Sequence, residues 1–451
     1  MKIKQTGPVE PAAGILPSMD RRRFLSRTLA AGGALAFPQF VPASVLGRGG
    51  ATAPSERIVM AGIGMGSRAG SVMGWMLSAP EVRVVAVAEV QRTRRDSAKQ
   101  RIDGHYGNLD CAAYRDFREL LAERADVDAV MIATGDRWHG PASILAMQAG
   151  KDVFCEKPSC FTMGQGQRVV EAAQRYGRVF QTGTQRLSEP HHVIAIEMAR
   201  SGRLGPLHTV YADCRYRGGS RHDWLAEQPL PPREEVDWDL WLGSSPQRPY
   251  NGAYLTSRIW NQFADLSTDV AQWGAHTIAQ ALAGIELDRT GPMEIQYDPE
   301  HPTMQVVFAD GLRMILYREG APFEPCALWR GPCGERFDGA EGWMAAADGY
   351  AQPDASSPAL LADQRQVLAE YTARTQRPLH HFRDFLDCVR TRRRPVADEY
   401  VMYDSMCICL AADIAHRLQR HVKLDLATAG FIGDPEADRQ RDRAVRQGWL
   451  G

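Results

Sequence analysis

Residues 57–63 read Arg-Ile-Val-Met-Ala-Gly-Ile and run directly into Gly64-Met65-Gly66-Ser67-Arg68-Ala69, after which residues 71–78 read as helix. Strand, glycine turn and helix in that order demand a parallel partner strand, reached by a right-handed crossover. Gly64 permits the tight turn and Gly66 lets a pyrophosphate approach the backbone. Ala69 is small enough for the helix to pack on the strand, with Ser67 and Arg68 at the end that faces the phosphates. A second frame starting at Gly62 also exists. The glycines alone are a weak signal, so their context decides. The next apolar run, residues 82–90, carries Glu89 near its end, 25 residues after Gly64. An acid there can accept hydrogen bonds from both hydroxyls of an adenosine ribose. It also repels a 2′-phosphate, so NAD is expected over NADP, although Arg92 close by leaves room for the latter.

Residues 127–133 form another buried-type strand that stops at Thr134-Gly135-Asp136-Arg137-Trp138-His139, and Pro141 then starts a helix ending at Gly150. Lys151-Asp152-Val153-Phe154-Cys155-Glu156-Lys157-Pro158 follows. Thr162 with Gln165 is a capping box that opens a further helix, and residues 179–182 lead into Gly183-Thr184-Gln185-Arg186. This alternation predicts an α/β fold with a doubly wound parallel (Rossmann) sheet, whose ligands sit at strand C-termini, where Thr134, Glu156 and Gly183 fall. From Pro206 the pattern changes to strands at 207–211, 293–297, 304–308 and 312–317 around a helical stretch at 270–283. A second, α+β domain is expected there.

Around Met19 the chain reads Asp20-Arg21-Arg22-Arg23-Phe24-Leu25-Ser26 before an uncharged run over 28–46, which resembles a twin-arginine export signal. Gly32, Gly33, Pro38 and Pro42 break that run too often for a spanning helix. Residues 1–50 are therefore read as signal and linker, 51–186 as the dinucleotide domain, 187–433 as the substrate domain and 434–451 as a tail. Periplasmic or secreted location follows, with no stable membrane span in the mature protein. Lys+Arg at 53 against Asp+Glu at 54 leaves no field to attract nucleic acid. Nine scattered cysteines form no Cys/His set with zinc spacing, so no metal is expected. Buried free thiols are favoured, Cys326 with Cys333 being the one loop-like pair.

Gly64-Met65-Gly66-Ser67-Arg68, Glu89, Ala133-Thr134 with Trp138-His139, Glu156-Lys157-Pro158, Gly183-Thr184-Gln185-Arg186 and Gln272-Trp273-Gly274-Ala275-His276 together resemble the Gfo/Idh/MocA oxidoreductases, from about residue 57 to the C-terminus. That family comprises NAD(P)-dependent enzymes acting on sugars, cyclitols and glycosides. The resemblance implies an open-faced, mainly antiparallel second sheet whose exposed side faces the cofactor, a tail wrapped back on the first domain, and a homo-oligomer. It assigns cofactor contacts to Gly64, Gly66, Ser67, Arg68, Glu89, Thr134, Trp138, His139, Glu156, Lys157 and Gln185. Gly135 stands where the family often has Pro. Gln272 stands where many members have Asp four residues before the His, which puts the Asp/His pairing in question and leaves Asp269 as its alternative.

Taking hydride from a carbinol carbon requires the hydroxyl proton to leave at about the same time, so a base and a group that lowers the hydroxyl pKa must converge on one oxygen. Lys157, one of only six lysines, and His276 suit that pair, with Gln272 and Asp269 behind them. Arg186, Tyr216, Trp260 and His276 are the candidate substrate contacts, with Arg217, Arg221 and His222 on loops. The aromatic stretch 237–243 and Trp260-Asn261 read either as core or as a platform for pyranose faces. His380-His381 read as helix-start residues. The expected function is an exported NAD-dependent oxidoreductase for a carbohydrate or glycoside hydroxyl. The alternative is a glycoside hydrolase or lyase that holds NAD tightly and completes a redox-neutral oxidation, elimination and reduction, and a sugar-binding sensor is a third reading.

Overall fold

The computed structural model describes residues 52–285, 287, 291–300, 303–318 and 331–449. The export-signal reading of residues 1–50, and Cys326 with its proposed pairing, lie outside the described residues. All eight described cysteines, Cys333 among them, are buried, and no disulfide joins any two of them.

Six strands, β1 (Ile58–Ile63), β2 (Val82–Ala88), β3 (Ala112–Tyr114), β4 (Ala129–Ile132), β5 (Asp152–Cys155) and β6 (Phe180–Thr182), form an all-parallel sheet in the order β3-β2-β1-β4-β5-β6. Crossovers run through α1 (Ser67–Ser78), α2 (Arg92–Tyr106), α3 (Phe117–Glu123), α4 (Asp136–Gln148) and α5 (Met163–Tyr176). Strand order reverses between β1 and β4, and a ligand crevice opens at such a switch point. β4 and β5 are buried along their whole length, as a sheet covered on both faces requires. The capping box forms as its residues dictate: Thr162 Oγ1 accepts from Gln165 N at 3.1 Å, and Gln165 Oε1 reaches back to Phe161 N at 3.1 Å.

After α6 (Pro190–Arg200) the chain builds a second sheet from β7 (Leu207–Tyr216), β8 (Pro292–Gln296), β9 (Thr303–Val307), β10 (Arg313–Arg318), β11 (Glu335–Gly339), β12 (Gly342–Ala346), β13 (Asp354–Ala355), β14 (Val422–Asp425) and β15 (Gly430–Phe431). Its order is β13-β12-β11-β7-β10-β9-β8-β14-β15, antiparallel throughout except for the β7/β10 pair. Two further helices matter here after the short α7 (Trp238–Leu242): α8 (Ala271–Gly284) and, later, α9 (His381–Thr391). α8 lies on β7, where Gly274 allows the approach: a Cβ there would sit 3.2 Å from Cys214 Sγ and 3.1 Å from Cys409 Sγ.

The open face of this sheet carries Tyr211, Tyr317 and Trp343, with Arg336 4.2 Å over the Trp343 ring. It does not turn to the dinucleotide crevice, whose lining includes none of this sheet's strands. α8 occupies the side toward the first domain, because its mostly apolar surface needs the sheet and its N-terminal turn bonds across to α4. α9 returns to the first domain, with Phe382 and Phe385 each 5.7 Å from Phe154 of β5. His380 caps it, its Nδ1 accepting from Arg383 N at 3.2 Å. The tail also packs there: Trp449 meets Trp138 edge-on at 5.6 Å, and Thr162 Oγ1 donates to Asp442 at 2.7 Å.

Candidate active site

The glycine turn sits where β1 gives way to α1. Gly64 has φ +81°, and a Cβ there would lie 2.7 Å from Thr134 Cγ2 and 2.8 Å from the Thr134 nitrogen, so both its conformation and its neighbours exclude a side chain. Gly66 caps α1 with no side-chain hydrogen bond, which leaves the first N–H groups of the helix for an anion. Beyond the turn lies a crevice. Gly64, Gly66, Ser67, Arg68, Glu89, Thr134 and Trp138 line it, facing Leu240, Trp241, Leu255 and Trp260 across the gap. A dinucleotide fits this donor set: uncapped helix nitrogens and arginines for its phosphates, a carboxylate for its ribose, and apolar walls for its rings.

Glu89 has a second duty that the sequence did not reveal. Its Oε2 accepts from Met65 N at 2.7 Å and its Oε1 from Gln91 N at 2.9 Å, so it braces the glycine turn while lining the crevice. A carboxylate has about four acceptor positions, and two remain. Glu156, buried, accepts from Arg68 Nε at 2.8 Å and Gln185 Nε2 at 3.0 Å. His139 is buried with Nδ1 2.6 Å from the Pro158 carbonyl, and burial pushes its pKa down to about 4. Trp138 donates from Nε1 to the Leu240 carbonyl at 2.8 Å, fastening α7 to the first domain.

Lys157 follows β5, ahead of a cis bond to Pro158, and its Nζ donates to the Gln272 carbonyl at 2.7 Å, 5.6 Å from the Trp273 ring centre. Burial lowers its pKa, opposed by the charges of Glu156 and Asp136. His276, buried on α8, is held well below its ordinary value by burial and then by the charges of Arg186 and Lys157. Arg186 Nη1 stands 3.5 Å from His276 Nε2, whereas His276 Nδ1 has no hydrogen-bond partner. At neutral pH the site thus offers an uncharged imidazole beside a lysine whose proton is loosened.

Several candidates do other work. Asp269 does not pair with His276; its Oδ2 accepts from the backbone nitrogens of Arg217, Gly218 and Gly219 at 2.9–3.1 Å, anchoring that loop. The Gln272 side chain also turns away from His276, donating to Asp136 Oδ2 at 2.7 Å, so Gln272 serves the site through its carbonyl. Tyr216 is part of the apolar core, its phenol raised by burial. Arg186 is held in a two-pronged ion pair by Asp348, with Nε 2.9 Å from Oδ1. Arg221 pairs with Asp223. Trp238 stacks on Trp241 at 4.6 Å inside a small aromatic core, so that stretch is packing, while Trp241 and Trp260 also wall the crevice.

Asp136, Arg137 and Asp348 belong to the site but were not singled out in the sequence. Asp136 begins α4, accepts from Ser267 Oγ at 2.8 Å and is raised by burial to about 6. Arg137 is buried, donates from Nε to the Trp241 carbonyl at 2.9 Å and lies 3.8 Å over that ring, and burial lowers it to about 9. Both sit directly after Thr134-Gly135 at a strand C-terminus, which was the available signal. Asp348 lies in irregular chain after β12, where no spacing pointed to it.

The family model for the oxidoreductase family's NAD-binding Rossmann fold matches residues 56–184, and the one for its C-terminal alpha/beta domain matches residues 216–450. Inositol 2-dehydrogenase of Salmonella typhimurium is 32% identical over 125 residues, 28% of this chain and 35% of that protein. D-xylose 1-dehydrogenase (NADP(+)) of Hypocrea jecorina is 31% identical over 138 residues, 30% of this chain and 34% of that one. The matched segment spans about a third of the length of these curated relatives. Aldose-aldose oxidoreductase from Caulobacter crescentus superposes with a TM-score of 0.52 at 19% identity, over 82% of this chain and 100% of that one. The WlbA dehydrogenase from Bordetella pertussis, solved with NADH and UDP-GlcNAcA, gives 0.54 at 14% identity over 81% and 98%. At such identities the likeness is one of fold. With both of its domains matched in chain order, the protein belongs to the Gfo/Idh/MocA oxidoreductase family.

Proposed function

We propose that this protein is an exported, NAD-dependent oxidoreductase that acts on a hydroxyl of a sugar, cyclitol or glycoside and keeps its dinucleotide bound. The observation that carries the reading is the convergence of Lys157, His276 and Arg186, tied to the crevice that begins at Gly64 by Glu156, which accepts from Arg68 on its lining and from Gln185 beside Arg186. Bound NAD supplies a hydride acceptor. The chain's own residues handle the proton: Lys157 Nζ, whose proton burial loosens, takes it in its neutral form from the hydroxyl as the C–H bond breaks. His276 Nε2, 3.5 Å from Arg186 Nη1, exchanges that contact for the same oxygen when substrate is bound. Arg186 adds positive charge where alkoxide character develops.

Similarity to an inositol dehydrogenase and a xylose dehydrogenase supports a polyhydroxylated substrate. Glu89 at the ribose end supports NAD over NADP. The arginine run at 21–23 supports export, and a folded, cofactor-loaded protein is what the twin-arginine route carries. A compartment without a nicotinamide pool then favours a dinucleotide that does not leave. The test is incubation with NAD and a panel of inositols, aldoses and glycosides, following reduced nicotinamide and products together. Oxidation of at least one polyol carbon is expected; inertness toward the whole panel in a protein that binds NAD overturns the reading.

A further inference from the structure

α6 opens with two adjacent histidines whose rings serve one spot. Glu189, His191 and His192 each present one ligand-type atom, all within 4.8 Å of one another. Glu189 is the N-cap of α6 but makes no side-chain cap bond, so its carboxylate is not committed there. His192 is fully buried, and its Nδ1 lies 2.9 Å from both oxygens of buried Glu335. Gln280 Nε2 donates to Glu335 Oε2 at 2.5 Å and fixes that carboxylate in turn. Among the described residues the Nε2 of His191 is enclosed with no hydrogen-bond partner, and that of His192 is enclosed with an ion-pair neighbour alone. Asp348 Oδ1 lies 3.5 Å from His192 Nε2.

Two adjacent imidazoles converging with a carboxylate, one tied at Nδ1 to Glu335 and the other leaving a buried Nε2 unpartnered, follow the pattern of metal-ligating histidines. We infer that Glu189, His191 and His192 bind a divalent cation of the zinc class, with Asp348 in reach as a fourth ligand. Two imidazoles and one or two carboxylates suit zinc in charge and softness, whereas magnesium and calcium want oxygen throughout. The site departs from the sequence expectation of no metal, which weighed cysteine and histidine spacing but not the adjacent pair. The rival arrangement is a metal-free ion network, with a charged His192 between Glu335 and Asp348. That accounts for His192, with the Glu189 charge beside it, but leaves the buried His191 Nε2 without a partner among the described residues. Position gives the cation a link to the chemistry: Asp348 also holds Arg186, and Arg186 adjoins His276, so ligation of Asp348 would alter the grip on the arginine that orients the catalytic imidazole.

The test uses the full-length protein stripped by a chelator and then titrated with Zn²⁺ alone, in competition with a chromophoric zinc indicator. One equivalent is expected to bind, with His191→Ala and Glu189→Gln each weakening it on the order of 10²-fold while circular dichroism and Tm stay near those of the parent. His191 and Glu189 are only partly buried, so these variants avoid the folding risk of His192→Ala. Co²⁺ in place of Zn²⁺ should give the visible absorption of a four-coordinate site, and lose it in both variants. Stoichiometry below one tenth, or equal affinity in parent and variants, overturns the inference. Neither readout depends on turnover, so the outcome is independent of whether the proposed activity is right.

Discussion

The Lys157 ammonium is pulled in opposite directions. Burial drives its proton off, Glu156 and Asp136 hold it on, and the Gln272 carbonyl accepts one of its hydrogens at 2.7 Å. A base that must be neutral to act gains activity as pH rises toward its lowered pKa, so turnover should climb through an alkaline limb lying below the ordinary lysine value of 10.5. Lys157→Ala and His276→Ala are each expected to reduce turnover on the order of 10²-fold or more with the fold intact. Near-normal turnover in either variant, read beside its circular dichroism, removes that residue from the mechanism. Glu89 gives a separate prediction. Glu89→Ser removes the ribose acceptor and the repulsion of a 2′-phosphate, so NAD should weaken about tenfold or more. Because Glu89 also braces Met65 N, the discriminating readout is the ratio: NADP affinity should not fall in step. Parallel loss of both dinucleotides would assign Glu89 to the turn alone. Lys157 and Glu89 could be singled out in the sequence because each stands at a strand end, and His276 because Gln272-Trp273-Gly274-Ala275-His276 carries the family resemblance. Asp348, which steers Arg186, could not, because its partnership joins chain segments 162 residues apart through no repeat or motif.

At the scale of elements, the parallel sheet was readable because its buried strands are continuous apolar runs ended by glycines and helix caps. β3 escaped notice because three residues, none fully buried, carry no periodic signal. The edge strands of the second sheet escaped for a similar reason: β13 and β15 have two residues each and are held by pairing alone. α9 shows how an element bridges the two halves. Its first residue, His381, is buried, with Nε2 2.8 Å from the Thr182 carbonyl at the end of β6 and Nδ1 3.1 Å from Ser188 Oγ. Burial lowers its pKa to about 4 from 6.5. The unfolded chain therefore takes up a proton below pH 6.5 that the native one refuses until about pH 4. Its contribution is complete above 6.5 and lost progressively on acidification, by about 1.4 kcal/mol per pH unit. His381→Gln retains an amide donor for Thr182 but removes the titration. Between pH 7 and pH 5 the variant should lose about 2 kcal/mol less stability than the parent, measured by denaturant unfolding at both values. Equal losses would mean that His381 is protonated in the native protein.

Across the whole molecule, the crevice is assembled from parts far apart in the chain. Its floor is the glycine turn, its far wall is α7 with Trp260, and the two are joined by Trp138 to Leu240 and by Arg137 to Trp241. The tail backs this wall, with Trp449 against Trp138 and Arg446 donating from Nη2 to the Gly243 carbonyl at 2.7 Å. The central claim is that the chain carries its dinucleotide and reduces it with a carbohydrate hydroxyl through Lys157. The most direct measurement is on protein purified without added nucleotide: release of dinucleotide on denaturation, and absorbance of reduced nicotinamide when the native protein meets its best substrate from the polyol and glycoside panel. Close to one dinucleotide per chain is expected, reduced on mixing in the parent and retained but not reduced in Lys157→Ala. A chain that emerges empty and turns over only with free NAD, or a variant that reduces its cofactor as fast as the parent, would contradict it.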